Sequence, residues 1–331
     1  IAIRKNTAVP TDPSQVFYAS GVINNDWTAL NVPFYPDMNI YRRNENGGGG
    51  DQSFRFMGKS SIGDSESSFD LALNTNQNPD SANRGVSDWA SPQGFFKTSW
   101  KSNDTDGVPD LAFSYFKSGR KFLDIGQYNQ IGTSGTEFTF KHNLGVTPEA
   151  LILKKIDSTN SNQKWYMQDA NVTGYDIGSH LEWFNGGEEV EKFHDGHGGA
   201  VNAETYIKSV SATEFVVYKR DSGTQARLSH PDSNYFYQAW ATLPGISKVG
   251  NYTGDGEAAQ NIDCGFANGV AFLYINNTDT AMPHMIWDTG SPIASGNDGG
   301  YVISTTADGD ITATNTGSLT VDIIDPLAAG F

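Results

Sequence analysis

Residues 126–155 read GQYNQIGTSGTEFTFKHNLGVTPEALILKK. Phe138, Phe140 and Leu144, then Ala150, Ile152 and Lys154, alternate with other residues around the turn formers Gly145 and Pro148. A period of two is the mark of a strand with one buried face, so the stretch predicts two strands joined as a hairpin.

The pattern returns on both sides. Downstream, Gly250, Tyr252 and Gly256 restate Gly126, Tyr128 and Gly132 at a constant shift of 124 (250 − 126), and the same shift carries Phe116 onto Trp240. Upstream, Pro36 to Arg43 restates Pro148 to Lys155 at a shift of 112 (148 − 36), with Asn39 against Leu151 the one change of chemical class. A third version, Val270 to Ile275, keeps the strand and replaces the basic pair Lys154-Lys155 by Asn276-Asn277. Further strands pair off in the same order. Phe54 to Met57 answers Trp165 to Gln168 and His284 to Trp287; Phe69 to Asn74 answers His180 to Asn185 and Tyr301 to Ser304; Gly94 to Trp100 answers Glu214 to Arg220. Leu111 to Phe116 answers Tyr235 to Trp240.

These repeats predict an all-β chain of tandem β-sandwich or jelly-roll-like modules, three copies with the last one short. The expected boundaries are an arm or linker at 1–15 and modules at 16–121, 122–245 and 246–331, each near the usual domain size and able to close its own core. The third copy shows no counterpart of the Tyr237-to-Trp240 strand, so it is either a compact terminal version or takes its last strand from elsewhere. The opening on Ile1 suggests processing or a piece of a longer polypeptide.

Composition agrees with a turn-rich β protein: of 331 residues, 12% are aromatic, 18% are charged and 36 are glycine. The net charge of −16 argues against sequence-independent binding of nucleic acid, which needs clustered Lys and Arg; the pairs Arg4-Lys5, Arg42-Arg43, Arg120-Lys121, Lys154-Lys155 and Lys219-Arg220 are scattered and read as strand ends or linkers. No apolar run approaches a membrane span, so no membrane insertion is expected. One cysteine, Cys264, excludes an intramolecular disulfide and reads as a small apolar residue.

Chemistry-bearing stretches are few. Asp104, Asp106 and Asp110 surround Gly107 at a spacing by which a looped backbone wraps oxygen ligands around Ca2+; Ser102 and Phe113, standing where a helix-flanked site has its first and last carboxylates, favour a polar turn. His194 and His197 form the close histidine pair, with Glu188, Glu189 and Glu191 nearby; they lack the HExxH order of a metalloprotease. Tyr175, Trp183 and Phe184 offer flat aromatic faces for sugar stacking, against the plainer role of module core. No serine sits in a GxSxG elbow, and Gly47 to Gly50, with no Lys-Ser or Lys-Thr following, reads as a hairpin tip rather than a phosphate loop. The chain is therefore expected to be noncatalytic, without a cofactor except for Ca2+ at that turn.

Gly126-Gln127-Tyr128 with Gly132, His142-Asn143-Leu144-Gly145-Val146-Thr147-Pro148, Leu151 to Lys155 and the closing Tyr237-Gln238-Ala239-Trp240 together resemble the tandem β modules of tailed-phage virion proteins, especially those of marine phages. The resemblance covers the chain from about residue 17 and is strongest in the second copy; Ser114-Tyr115-Phe116 replaces the closing motif in the first. It implies a structural protein on the virion surface, a tail fibre, head fibre or decoration, homo-oligomeric, contacting other virion proteins and adhering to a host-surface glycan or protein. Alternatives are a tail protein associated with a polysaccharide depolymerase or lyase, and a purely structural capsid or tail connector.

Overall fold

The structure is a computed structural model, and it describes residues 8–22, 29–30, 32–43, 54–58, 71–72, 85–86, 94–97, 111–130, 136–155, 165–169, 179–183, 191–192, 205–219, 233–255, 260–275, 284–288, 301–303 and 330. Every strand pairing among them is antiparallel, which makes the chain an all-β protein.

Residues ahead of the first strand lie along the chain that leaves the first sheet. Ala8 O accepts from Arg120 N, and Pro10 and Val16 crowd Gly119. A single 3-10 turn, Pro13–Gln15, follows, capped by Asp12, whose Oδ1 accepts from Ser14 N at 2.8 Å. The strands are then β1 (Phe17–Val22), β2 (Ala29–Leu30), β3 (Met38–Arg43), β4 (Phe54–Gly58), β5 (Leu71–Ala72), β6 (Gly85–Val86), β7 (Gly94–Lys97) and β8 (Leu111–Phe116). They form a five-stranded sheet in the order β1-β8-β3-β4-β5 and a small sheet β2-β7-β6.

The next set repeats that order. β9 (Leu123–Gln130), β10 (Thr136–Lys141), β11 (Ala150–Lys155), β12 (Trp165–Asp169), β13 (Ser179–Trp183), β14 (Glu191–Lys192), β15 (Thr205–Val210), β16 (Glu214–Lys219) and β17 (Ser233–Trp240) make a sheet β9-β17-β11-β12-β13-β14 and a small sheet β10-β16-β15. Then β18 (Phe272–Ile275), β19 (His284–Asp288) and β20 (Tyr301–Ile303) form a three-stranded sheet.

Register gives the correspondence residue by residue. Met38 faces Phe116 as Ala150 faces Trp240, so the shifts of 112 and 124 legible in the sequence are the shifts of the ladders. Phe17 faces Phe116 as Leu123 faces Trp240. Details outside the ladders recur as well. Asp37 N donates to Phe116 O and Glu149 N to Trp240 O, both at 2.8 Å. The carboxylate of Asp37 accepts from Ser118 N, and that of Glu149 from Thr242 N. The tight turns at 119–123 and 243–247 carry the same backbone bonds, with Lys121 at φ 62° where the second turn has Gly245 at φ 77°.

Two expectations need correction. The stretch at 126–155 does not fold back as a hairpin, because β10 pairs with β16 in one sheet while β11 pairs with β12 and β17 in the other. The HNLG turn carries the chain across from one sheet to the other, with Leu144 buried and Gly145 at φ 77°. β5, β13 and β20 also correspond one residue away from the expected match: ladder positions put Leu71 and Tyr301 both against Leu181. Strand pairing, which the side-chain pattern alone does not see, sets that register.

One-sided burial holds for β10, where Phe138 and Phe140 are part-buried while Glu137, Thr139 and Lys141 are exposed. The central strands differ, since Ala150 to Leu153 and Tyr235 to Ala239 are buried on both faces. One face, with Leu151, Leu153, Tyr235, Tyr237 and Ala239, joins Ile207, Phe215 and Val217 of the small sheet in one cluster. The other face, with Ile152 and Phe236, joins Met38, Ile40, Phe116, Phe122 and Leu123, against which Trp240, Leu243, Ile246, Phe272 and Tyr274 pack. All three repeats thus meet in a shared core as well as the cluster within the second. Equivalent positions meet there: Ile40, Ile152 and Tyr274 share one ladder position, and Met38 and Phe272 share another, whose counterpart in the second repeat is Ala150.

Candidate functional site

The best-built polar constellation lies where β9, β17 and the HNLG turn meet. Tyr237 is the ladder partner of Gly126. A Cβ at Gly126 would stand 2.5 Å from the Tyr237 ring, so glycine is what lets that ring cross the strand. The ring ends on Asp124, whose Oδ2 accepts from Tyr237 Oη at 2.8 Å and from Asn143 N at 2.9 Å. Asp124 is 5% exposed, and the two donors offset the cost of burying its carboxylate. Burial, with the Asp124 charge beside it and the bond donated to it, pushes the Tyr237 phenol far above its ordinary range. Next to it, Tyr128 stacks on Tyr235 at 4.9 Å and 8°. The Gly-x-Tyr opening and the Tyr-x-Ala-Trp ending are therefore two halves of one contact.

His142 completes the group. Its Nε2 lies 2.9 Å from Ser211 O, which can only accept, so Nε2 carries the proton, and Nδ1 accepts from Leu144 N at 3.3 Å. Both ring nitrogens are engaged in the neutral form, and burial lowers the imidazole pKa against the pull of the Ser211 carbonyl, Asp124 and Glu214. Leu144 O in turn accepts from Lys121 N at 2.7 Å, and the Arg120 guanidinium covers Gly145. The HNLG turn so clasps the connection between the first two repeats. Chemically this is a fixed bracket: the tyrosine is held as a donor, the carboxylate as an acceptor, and the imidazole has no free nitrogen to exchange a proton with a ligand.

Sequence reasoning singled out His142 and Tyr237 as motif letters and missed Asp124. The signal was there in the repeats, because Tyr18 stands at the Asp124 position and Phe113 at the Tyr237 position of the first copy, so the pair is lost together. Of the expected site residues, Asp104, Asp106, Asp110, Tyr175, Phe184, His194 and His197 lie outside the described residues. Trp183 ends β13 opposite Trp165, with its backbone alone described. Among the described residues no group of three or more His, Cys, Asp or Glu side chains converges as a metal site would. Cys264 is half-buried, its thiol pushed up by that burial. No helix among the described residues is long and apolar enough to cross a membrane.

A chain of repeated antiparallel sheets bracketed in this way is defined by its scaffold. It belongs to the family described as Domain of unknown function (DUF7483), whose model matches residues 99–324. No curated protein and no solved structure matches the chain.

Proposed function

We propose that the chain is a noncatalytic surface component of a tailed-phage virion, a fibre or decoration, built of three tandem β-sandwich modules that present loops to a host glycan or surface protein. Support for the sandwich comes from the second repeat, where the six-stranded and three-stranded sheets share one buried cluster. The observation that carries the virion reading is the union of the Gly126-x-Tyr128 opening with the Tyr237-x-Ala239-Trp240 ending through the Gly126–Tyr237 contact. Those are the motifs that resemble phage modules, and the contact gives them a common structural purpose. Repetition preserves the sheet order and the ladder registers, while residues 169–205 have the weakest correspondence between copies and are assigned to recognition.

Oligomers of the chain would gain avidity from several weak sites, as an adhesive fibre requires. The test is binding of the purified chain, in each of its oligomeric forms, to host cells and to isolated envelope polysaccharide. Saturable binding that is lost on shortening 184–200 supports adhesion. Absence of binding by every form leaves a scaffold, and release of oligosaccharides from the polysaccharide overturns the noncatalytic reading in favour of a depolymerase.

A further inference from the structure

β8 and β17 hold the same place in the first two repeats, and each carries one buried polar residue on the face turned to the shared core. Ser114 lies opposite Ile40 in its ladder and Gln238 opposite Ile152, and both isoleucines belong to that core. The shift of 124 that carries Phe116 onto Trp240 also carries Ser114 onto Gln238 (238 − 114). Both are sealed from solvent, at 1% and 0% exposure. Their neighbours in the cluster are apolar.

An indole fixes which way the amide points. Trp240 Nε1 can only donate, and it donates to Gln238 Oε1 at 3.0 Å. The other arm of the amide, Nε2, is therefore a donor, and among the described residues it meets no acceptor. Ser114 Oγ is likewise buried without a hydrogen-bond partner among the described residues. The indole that holds the amide also meets the ring of Phe116, at 5.7 Å between centroids, and Phe116 follows Ser114 on the same face of β8. Both polar groups thus belong to one part of the core, where a donor without an acceptor forfeits its hydration with nothing in return.

We infer that Ser114 and Gln238 hold one internal water molecule between them, a polar bridge from the first repeat to the second through the shared core. The water accepts from Gln238 Nε2 and bonds Ser114 Oγ, which can donate or accept. An internal water takes about two to four polar partners, and these two side chains supply the minimum. A neutral molecule fits where an ion does not, because the cluster around the pair is apolar and offers no counter-charge. Serine is much the shorter of the two side chains, and the water takes up the length it lacks.

A crystal structure of the full chain tests the bridge directly. One ordered water within hydrogen-bond distance of both Gln238 Nε2 and Ser114 Oγ is expected; no water there, a water on one atom alone, or a direct bond between the two side chains overturns the assignment. Denaturant unfolding gives an independent reading. Ser114→Ala should lower the midpoint of the parent chain, because it takes a partner from the water, and should shift it at most about half as much in a Gln238→Met chain, where the amide donor is already gone. A hydroxyl that is merely unbonded behaves otherwise, since its removal leaves the midpoint unchanged or raises it. An unchanged or raised midpoint in the parent chain, or equal lowering in both backgrounds, therefore overturns the bridge. Should Gln238→Met fail to fold, the crystal structure and the single Ser114→Ala variant decide.

Discussion

The ring of Tyr237 lies across Gly126 and delivers its hydroxyl to Asp124 on the same neighbouring strand, 2.8 Å from Oδ2. Gly126→Ala would put a methyl 2.5 Å from that ring, in a site closed by buried neighbours. Overpacking of this kind costs about 1 to 3 kcal/mol. Urea unfolding should show that loss, and Gly126→Ala combined with Tyr237→Leu should recover part of it; equal stability of Gly126→Ala and the parent chain would mean that the ring is placed elsewhere.

The same contact predicts coupling. Tyr237→Phe removes a bond to a buried carboxylate, worth about 1.5 to 3 kcal/mol, and Asp124→Asn removes the charge but keeps the shape. A double-mutant cycle should give a coupling energy of at least about 0.5 kcal/mol. Additive effects would show that Asn143 N alone satisfies Asp124.

Lys121 and Gly245 hold the same position in the two tight turns and both have positive φ. Left-handed backbone costs an ordinary residue roughly 1 to 2 kcal/mol relative to glycine. Gly245→Ala meets no atom of a described residue within 4 Å, so its destabilisation should come from the backbone. Lys121→Gly should move stability in the opposite direction. Thermal unfolding of both variants checks the pair, and a neutral Gly245→Ala would remove the strain argument.

Much of this is legible in the sequence. Shifts of 112 and 124 are properties of the sequence, and they survive as ladder registers because equivalent strands must pair equivalently. Three things were not legible. The hairpin expected at 126–155 became a crossing between sheets, because alternation reports which residues face inward and is silent on which strand lies beside them. The shared core escaped notice because Ala150, Ile152 and Lys154 read as the alternation of a strand with one buried face, while Leu151 and Leu153 between them are buried as well, and a strand buried on both faces looks the same whether its second face meets a small sheet or a neighbouring repeat. Asp124 escaped because one buried carboxylate has no period, and its only trace is that it is lost together with its partner Tyr237 in the first copy.

His142 gives the fold a pH dependence of definite sign. Burial holds its folded pKa below the ordinary value of 6.5, so the unfolded chain binds the proton more readily. The contribution is fully present above 6.5 and declines as the pH falls through that value, until the folded pKa is passed. Protonation at Nδ1 also costs Leu144 N its acceptor. The stability loss between neutral and mildly acid pH should be smaller in His142→Asn, measured by denaturant midpoint; an identical pH profile would place the titration in another group.

The shared core makes the strongest demand. Phe116 is 2% exposed and its ring meets Phe17 from its own repeat, Trp240 from the second and Phe272 from the third, at centroid distances of 5.1, 5.7 and 4.8 Å. Repeats with private cores would unfold separately, and damage to one would leave its neighbours' transitions in place. Repeats that share a core lose stability together. Truncating a buried phenylalanine to alanine costs about 3 to 5 kcal/mol, and in Phe116→Ala that loss falls on contacts from all three repeats. Tryptophan fluorescence from Trp240 and proteolysis of the third repeat should therefore shift to lower denaturant together in Phe116→Ala. Leu144→Ala serves as the comparison, since Leu144 belongs to the cluster within the second repeat. If Phe116→Ala leaves both reporters unmoved, the repeats fold as independent units joined by short linkers.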